Sequence, residues 1–201
     1  LVGPGDHGLV GVDANEAMIA RAHERAQDEG VTDRVEFRVA DACDLPFEDG
    51  QFDVVLVESV LTFVADKQQA IRECARVTRP GGYVGLNEQY WIEPPPAHVL
   101  ERVRHTFEIQ PGIPVLEGWT GFLANAGLVD VAARPYHFDA RREASQVKRY
   151  RFRDMWRMAY RSLFLYVKSR EFRQYMAERK YLPKDLFDYL GYALFVGKAP
   201  S

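Results

Sequence analysis

A short apolar run near the start of the sequence, Leu9–Val12, ends on a single acidic residue, Asp13. Asn15 follows as a candidate helix N-cap, and the residues from Glu16 onward are mostly good helix formers. A strand that ends on a carboxylate and passes at once into a helix places that carboxylate at the carboxyl edge of a sheet, where open α/β sheets bind ligands. Asp13 is therefore either a ribose ligand or an ordinary turn residue.

The alternation of strand and helix continues to about residue 90. Because crossovers between parallel strands are right-handed, the polar strand ends share one edge of the sheet. The pattern predicts an α/β protein with a doubly wound, Rossmann-like and mostly parallel sheet. The predicted elements are strands at Leu9–Val12, Val35–Val39, Phe52–Val57 and Tyr83–Asn87, and helices at Glu16–Glu29 and Lys67–Thr78. The polar strand ends are Asp13, Asp41, Glu58 and Asn87/Glu88.

The second half of the chain is less regular. Helices are predicted at Ala97–Ile109 and Thr120–Ala126, and strands at Val129–Ala133 and Tyr192–Val196. Residues 143–180 read as one or two long helices. We therefore predict a core formed by residues 1–139 and 190–201, and a helical insertion, 140–189, that forms a substrate-binding or lid region.

Charge is unevenly distributed along the chain. Residues 1–140 carry 11 basic and 23 acidic side chains, whereas residues 141–180 carry 13 basic and 4 acidic ones. The net charge of −3 does not favour a nucleic-acid partner. Cys43 and Cys74 lack metal or disulfide spacing, so we expect a reducing, cytoplasmic setting and no metal site. We expect no transmembrane segment and no leader, and the oligomeric state stays open.

The order and spacing of these motifs resemble class I S-adenosylmethionine-dependent methyltransferases, in their small-molecule branch. The resemblance covers residues 1–90 continuously, and 118–135 and 190–199 more loosely. Its motifs are Leu1–Pro4, Val35–Phe37, Leu45–Phe47, Phe52–Val55, Glu73–Val77, Arg79–Gly82 and Phe195–Lys198.

The resemblance implies S-adenosylmethionine as the cofactor. Asp13 would then hold the ribose and Asp41 would reach the adenine amino group. Glu58 and Ser59 would face the methionine part and the reacting methyl group. The residues assigned to the cofactor are Asp13, Ala14, Met18, Asp41, Ala42, Cys43, Glu58 and Ser59.

Several of these residues have simpler interpretations. Asp41 is also a common turn residue, Glu58 could form an ion pair across the rim, and Met18 could be a core residue. Cys43 is better interpreted as a packing residue than as a nucleophile. Glu58 is nevertheless the candidate general base, because it is the acidic strand end expected nearest the methyl group.

The acceptor is expected to contact aromatic side chains. The resemblance assigns this role to Tyr90 and Trp91, after the fourth strand, and to the inserted helices. There Phe152, Trp156, Tyr160 and Phe164 recur every four residues, of which Trp156 and Tyr160 are the candidate acceptor contacts. The alternative is a stripe that packs the helix against the sheet.

One part of the family pattern is missing from this sequence. The glycine-rich loop that follows the family's first strand would lie before Leu1, so we expect the sequence to be a fragment that lacks this strand. The predicted function is transfer of a methyl group from S-adenosylmethionine to a small-molecule acceptor. The alternatives are a binding module that has lost the loop and its catalysis, and a nicotinamide-dependent oxidoreductase.

Overall fold

The computed structural model describes residues 8–107, 112–137, 168–170, 173 and 185–201. They form two compact units. The core unit contains the described residues of 1–90, 110–135 and 192–201, and the second unit contains those of 91–109 and 136–191. The predicted insertion, 140–189, lies largely outside the described residues, so its boundaries stay a prediction.

The described elements alternate between strand and helix as far as the fourth strand. They are β1 (Leu9–Asp13), α1 (Glu16–Glu29), β2 (Val35–Val39), β3 (Phe52–Glu58), a 3-10 turn (Leu61–Phe63), α2 (Lys67–Val77), β4 (Thr78–Trp91), α3 (Ala97–Phe107), α4 (Leu116–Asn125), β5 (Val129–His137), α5 (Leu186–Tyr189) and β6 (Leu190–Lys198). None of these helices is both long and apolar enough to cross a membrane.

Parallel strand pairs form the centre of the fold. β1 pairs with β2 from Leu9↔Val35 to Asp13↔Val39. β3 pairs with β4, and the four-stranded part of the sheet has the order β3-β4-β6-β5. The parallel pairs and the helical crossovers confirm the predicted Rossmann-like α/β class.

Local sequence determines both ends of α1. The Asn15 side chain accepts a hydrogen bond from the Ala17 backbone N–H, as an N-cap should. At the other end Gly30 adopts φ 66°, and its N–H bonds back to the Ala26 and Gln27 carbonyls. The Asn15 cap lets the chain pass directly from Asp13 at the sheet edge into the helix.

The fourth strand differs from its prediction. The sequence predicts a strand at Tyr83–Asn87, but β4 continues to Trp91, and both Tyr90 and Trp91 are buried. Glu88 therefore lies inside the strand, one residue beyond Asn87, which pairs with Glu58. The Arg79–Gly82 motif forms an irregularity in the strand pairing: Phe52 pairs with Thr78, and Val54 pairs with Tyr83.

Helix α2 packs one apolar side into the core unit. Ala70, Ile71 and Val77 on this side are fully buried. Helix α4 packs beside it and buries Trp119 and Leu123, each of which contributes roughly 1.5–3 kcal/mol by leaving water. The Trp119 indole N–H donates to the Gln89 carbonyl of β4 at 2.9 Å, which fixes α4 against the sheet.

Candidate functional site

A cavity of about 600 Å³ lies between β1 and β3 in the core unit. Val10–Val12 and Val55–Val57, from the interiors of the two strands, line it together with the loops that follow them. Among the described strands, β1 pairs only with β2 and β3 only with β4. Leu56 in the middle of β3 is 67% exposed. The cavity therefore includes both the open strand edges and the strand ends.

Asp13 lies on the cavity lining with its carboxylate only partly engaged. Its Oδ1 accepts a hydrogen bond from the Asn15 N–H at 2.8 Å. No described residue donates to Oδ2, and the side chain is exposed. Asp13 is thus held by the turn and keeps acceptor capacity for ligand hydroxyls, and its neighbour Ala14 also lines the cavity.

Asp41 occupies the equivalent place after β2. Its Oδ1 accepts from the Cys43 N–H at 2.8 Å, which closes a side-chain turn. Asp41 and Ala42 both line the cavity. The turn interpretation and the ligand interpretation of Asp41 are compatible, because one carboxylate oxygen is sufficient for the turn.

The loop that follows Asp41 is fixed from α2. The Leu45 N–H donates to Glu73 at 2.9 Å, and the Arg76 guanidinium donates to the carbonyls of Leu45 and Phe47. Arg76 also pairs with Glu73 and holds the pKa of that carboxyl below its usual range. Leu45 lines the cavity, so this network sets the position of one wall.

Glu58 ends β3 and lines the cavity on the side opposite Asp13. It lies in register with Asn87, and no described basic side chain forms an ion pair with it. Ser59 then adopts φ 53° and donates its N–H to the Asn87 carbonyl at 2.9 Å. This sharp turn places Ser59 on the cavity lining as well.

The two cysteines have structural surroundings. The Cys43 thiol donates to the Asp66 carbonyl at 3.5 Å, and burial and the neighbouring Asp41 raise its pKa. Cys74 lines the cavity, and burial raises its pKa to about 12. Both thiols stay protonated near neutral pH, which supports the packing interpretation. The buried side of α2 was the sequence signal that could have placed Cys74 here.

The remaining predicted residues in the part of the chain that the structure describes are not on this lining. Met18 is 41% exposed on α1, and Cys43 belongs to the turn that its N–H closes on Asp41. Tyr90 is buried in β4, where burial raises its pKa. Trp91 is also buried, and Trp156 and Tyr160 lie outside the described residues. The structure therefore brings together six of the predicted cofactor residues: Asp13, Ala14, Asp41, Ala42, Glu58 and Ser59.

Parallel strands whose acidic ends surround one cavity define a Rossmann-like, nucleotide-binding type of α/β domain. Residues 3–86 match the family described as a methyltransferase domain. This match and the relatives described below confirm the resemblance of the sequence to class I S-adenosylmethionine-dependent methyltransferases.

Named relatives support this family. The chain is 37% identical over 123 residues to a 27-O-demethylrifamycin SV methyltransferase of Amycolatopsis mediterranei, a match covering 60% of this chain and 45% of that protein. It is 44% identical over 82 residues to the ubiquinone/menaquinone biosynthesis C-methyltransferase UbiE of Ectopseudomonas oleovorans, covering 41% and 48%. The chain thus spans about half the length of these relatives.

A solved structure shares the fold. Phosphoethanolamine N-methyltransferase 2 of Haemonchus contortus, in complex with S-adenosyl-L-methionine, superposes with a TM-score of 0.70 at 20% identity. The superposition covers 96% of this chain and 43% of that one. At this identity the likeness shows the fold alone.

Proposed function

We propose that the protein transfers a methyl group from S-adenosylmethionine to a small-molecule acceptor. One observation carries the proposal: Asp13, Asp41 and Glu58, each at or just after the end of a different strand, line one cavity within a methyltransferase domain.

The side chains fit the polar groups of this cofactor. The exposed Asp13 carboxylate has the acceptor capacity that two adjacent ribose hydroxyls need. Asp41 offers a second acceptor for an exocyclic amino group, beside the small side chain of Ala42. Glu58 and Ser59, which also line the cavity, are the proposed contacts of the methionine part of the cofactor. Met18 and Cys43 stay proposed cofactor contacts that the cavity lining does not include.

The main contribution of the protein to the reaction is to align the acceptor atom with the methyl group. When bound, S-adenosylmethionine supplies a methyl group on a positively charged sulfur, which is a strong electrophile. The protein has to hold the acceptor atom in line with the breaking bond, and such alignment can supply roughly 7–11 kcal/mol. Glu58 accepts the acceptor's proton where the attacking atom is protonated at working pH.

The acceptor is proposed only as a small molecule. The relatives are named for oxygen and carbon methylation, so the proposal does not restrict the acceptor atom to one type. Tyr90, Trp91, Trp156 and Tyr160 stay the proposed acceptor contacts, and the net charge of −3 supports an acceptor other than nucleic acid.

The open edges of β1 and β3 support one further part of the proposal. A strand inserted between them would complete a continuous sheet, since both edges border the cavity and pair with no described strand. The first strand and glycine-rich loop implied by the family resemblance would fit this space, with glycines allowing the backbone to approach the ligand.

Calorimetry on the complete gene product tests the proposal. We expect S-adenosylmethionine and S-adenosylhomocysteine to bind with one site each, and labelled cofactor to transfer its methyl group to a member of a small-molecule panel. The proposal is refuted if the protein binds neither of the two compounds. Binding without turnover across the panel would favour a binding module, and binding of a nicotinamide cofactor instead would favour an oxidoreductase.

A further inference from the structure

Glu88 on β4 is one residue beyond the partner of Glu58, and its side chain is only 1% exposed. Both carboxylate oxygens accept hydrogen bonds from the segment that follows β3. Oε1 accepts from the Val60 and Leu61 N–H groups at 2.9 and 2.8 Å. Oε2 accepts from the N–H and the hydroxyl of Thr62 at 3.2 and 2.9 Å.

Lys67 holds the opposite end of the same segment. Its ammonium donates to the Val64 carbonyl at 2.8 Å and to the Thr62 carbonyl at 3.4 Å. The side chain is buried, which lowers the pKa of Lys67, while the charge of Glu88 acts in the opposite direction. An anion thus meets the free N–H groups of the 3-10 turn and a cation meets its free carbonyls, which is the favourable arrangement at both ends of a helical turn.

The segment needs this external support. It begins at Ser59, whose φ of 53° is sparsely populated for a residue with a side chain. Such a conformation persists only where the surroundings enforce it. The residue in the N-cap position of the turn, Val60, has no side-chain oxygen and makes no capping bond. Glu88 supplies the missing cap from the neighbouring strand.

The segment is also a wall of the candidate site. Ser59, Val60, Phe63 and Val64 all line the cavity beside Glu58. We infer that Glu88 is a positioning residue, with Lys67 as its counterpart, that fixes this wall and thereby the geometry around the reacting methyl group. Glu88 contacts no ligand in this role. The functional part of the inference rests on the proposed methyl transfer.

The substitution Glu88→Gln tests the inference with almost no change of shape. Glutamine keeps one acceptor oxygen, but its NH₂ group faces two of the donors that the carboxylate satisfied. In the ligand-free protein we expect amide hydrogen exchange at residues 60–62 to accelerate about tenfold or more. We expect the dissociation constant for S-adenosylhomocysteine to rise and kcat to fall, each by about tenfold.

Three further variants separate positioning from general stability. Thr62→Val removes only the hydroxyl bond to Glu88, so its effect should be smaller. Glu88→Asp keeps the charge and should recover part of the exchange protection and affinity. Leu123→Ala, buried on α4 and outside the cavity lining, should lower stability without a selective change at residues 60–62 or in affinity.

The results distinguish this inference from the proposed function. If the unaltered protein binds S-adenosylhomocysteine and Glu88→Gln matches Leu123→Ala in exchange at residues 60–62 and in affinity, the positioning role is refuted alone. If the unaltered protein binds no cofactor, the proposed function fails and the exchange data still decide whether Glu88 fixes the segment. Should Glu88→Gln not fold, Thr62→Val and Glu88→Asp carry the same comparison.

Discussion

Replacing Asp13 by asparagine removes its charge while preserving its turn. In the structure Oδ1 accepts from the Asn15 N–H at 2.8 Å, and an amide oxygen can make the same bond. The second oxygen becomes an NH₂ group, which cannot accept a hydrogen bond from a ribose hydroxyl. The variant therefore separates the ligand role of Asp13 from its local structural role.

The size of the effect follows from this exchange of groups. One hydrogen bond to a charged acceptor is lost, worth about 1.5–3 kcal/mol, so binding should weaken roughly 10- to 150-fold. Asp13→Ala also removes the acceptor for Asn15. It should weaken binding further and, by analogy with the loss of a helix cap, cost roughly 1 kcal/mol of folding stability.

Calorimetry with S-adenosylhomocysteine on the complete gene product measures both variants, and chemical unfolding measures their stability. Asp33→Asn is the matched control, because it makes the same charge change at an exposed position outside the cavity lining. The reasoning is refuted if Asp13→Asn binds the compound as tightly as Asp33→Asn does.

Three other substitutions give separate checks. Glu73→Gln should destabilise the protein by about 1–3 kcal/mol at neutral pH. Because Arg76 lowers the pKa of Glu73, the ionised carboxyl stabilises the folded protein above the ordinary glutamate pKa of about 4.3, and this stabilisation is lost as the pH falls below that value. The free energy of unfolding measured in urea should therefore change less with pH in the variant than in the unaltered protein. Gly82→Ala would place its Cβ 2.6 Å from a backbone carbonyl oxygen of β3 and should cost about 1–3 kcal/mol in the same assay; wild-type stability would contradict the packing argument. Glu58→Gln should lower kcat by roughly 10²–10⁴-fold if the acceptor atom is protonated, and an unchanged kcat with such an acceptor would refute the general-base role of Glu58.

The sequence alone determined the features that depend on neighbouring residues. Asn15 and Gly30 define the two ends of α1, because a side-chain acceptor and a residue free to adopt positive φ are local requirements. The strands ending at Asp13 and Glu58 were found because apolar runs between turns are local patterns too. Right-handed crossovers between parallel strands then place the acidic strand ends on one edge of the sheet.

Only the tertiary structure decided which residues meet across the sheet. The end of β4 depends on burial around Tyr90 and Trp91, which no local pattern encodes. Glu88 looked like another polar strand end, yet it is buried because it satisfies backbone donors 26 to 28 residues away in the chain. Cys74 reaches the cavity through the packing of α2 on the sheet. Such contacts join segments distant in sequence, so the strand pairing and side-chain packing that create them exist only in the folded chain.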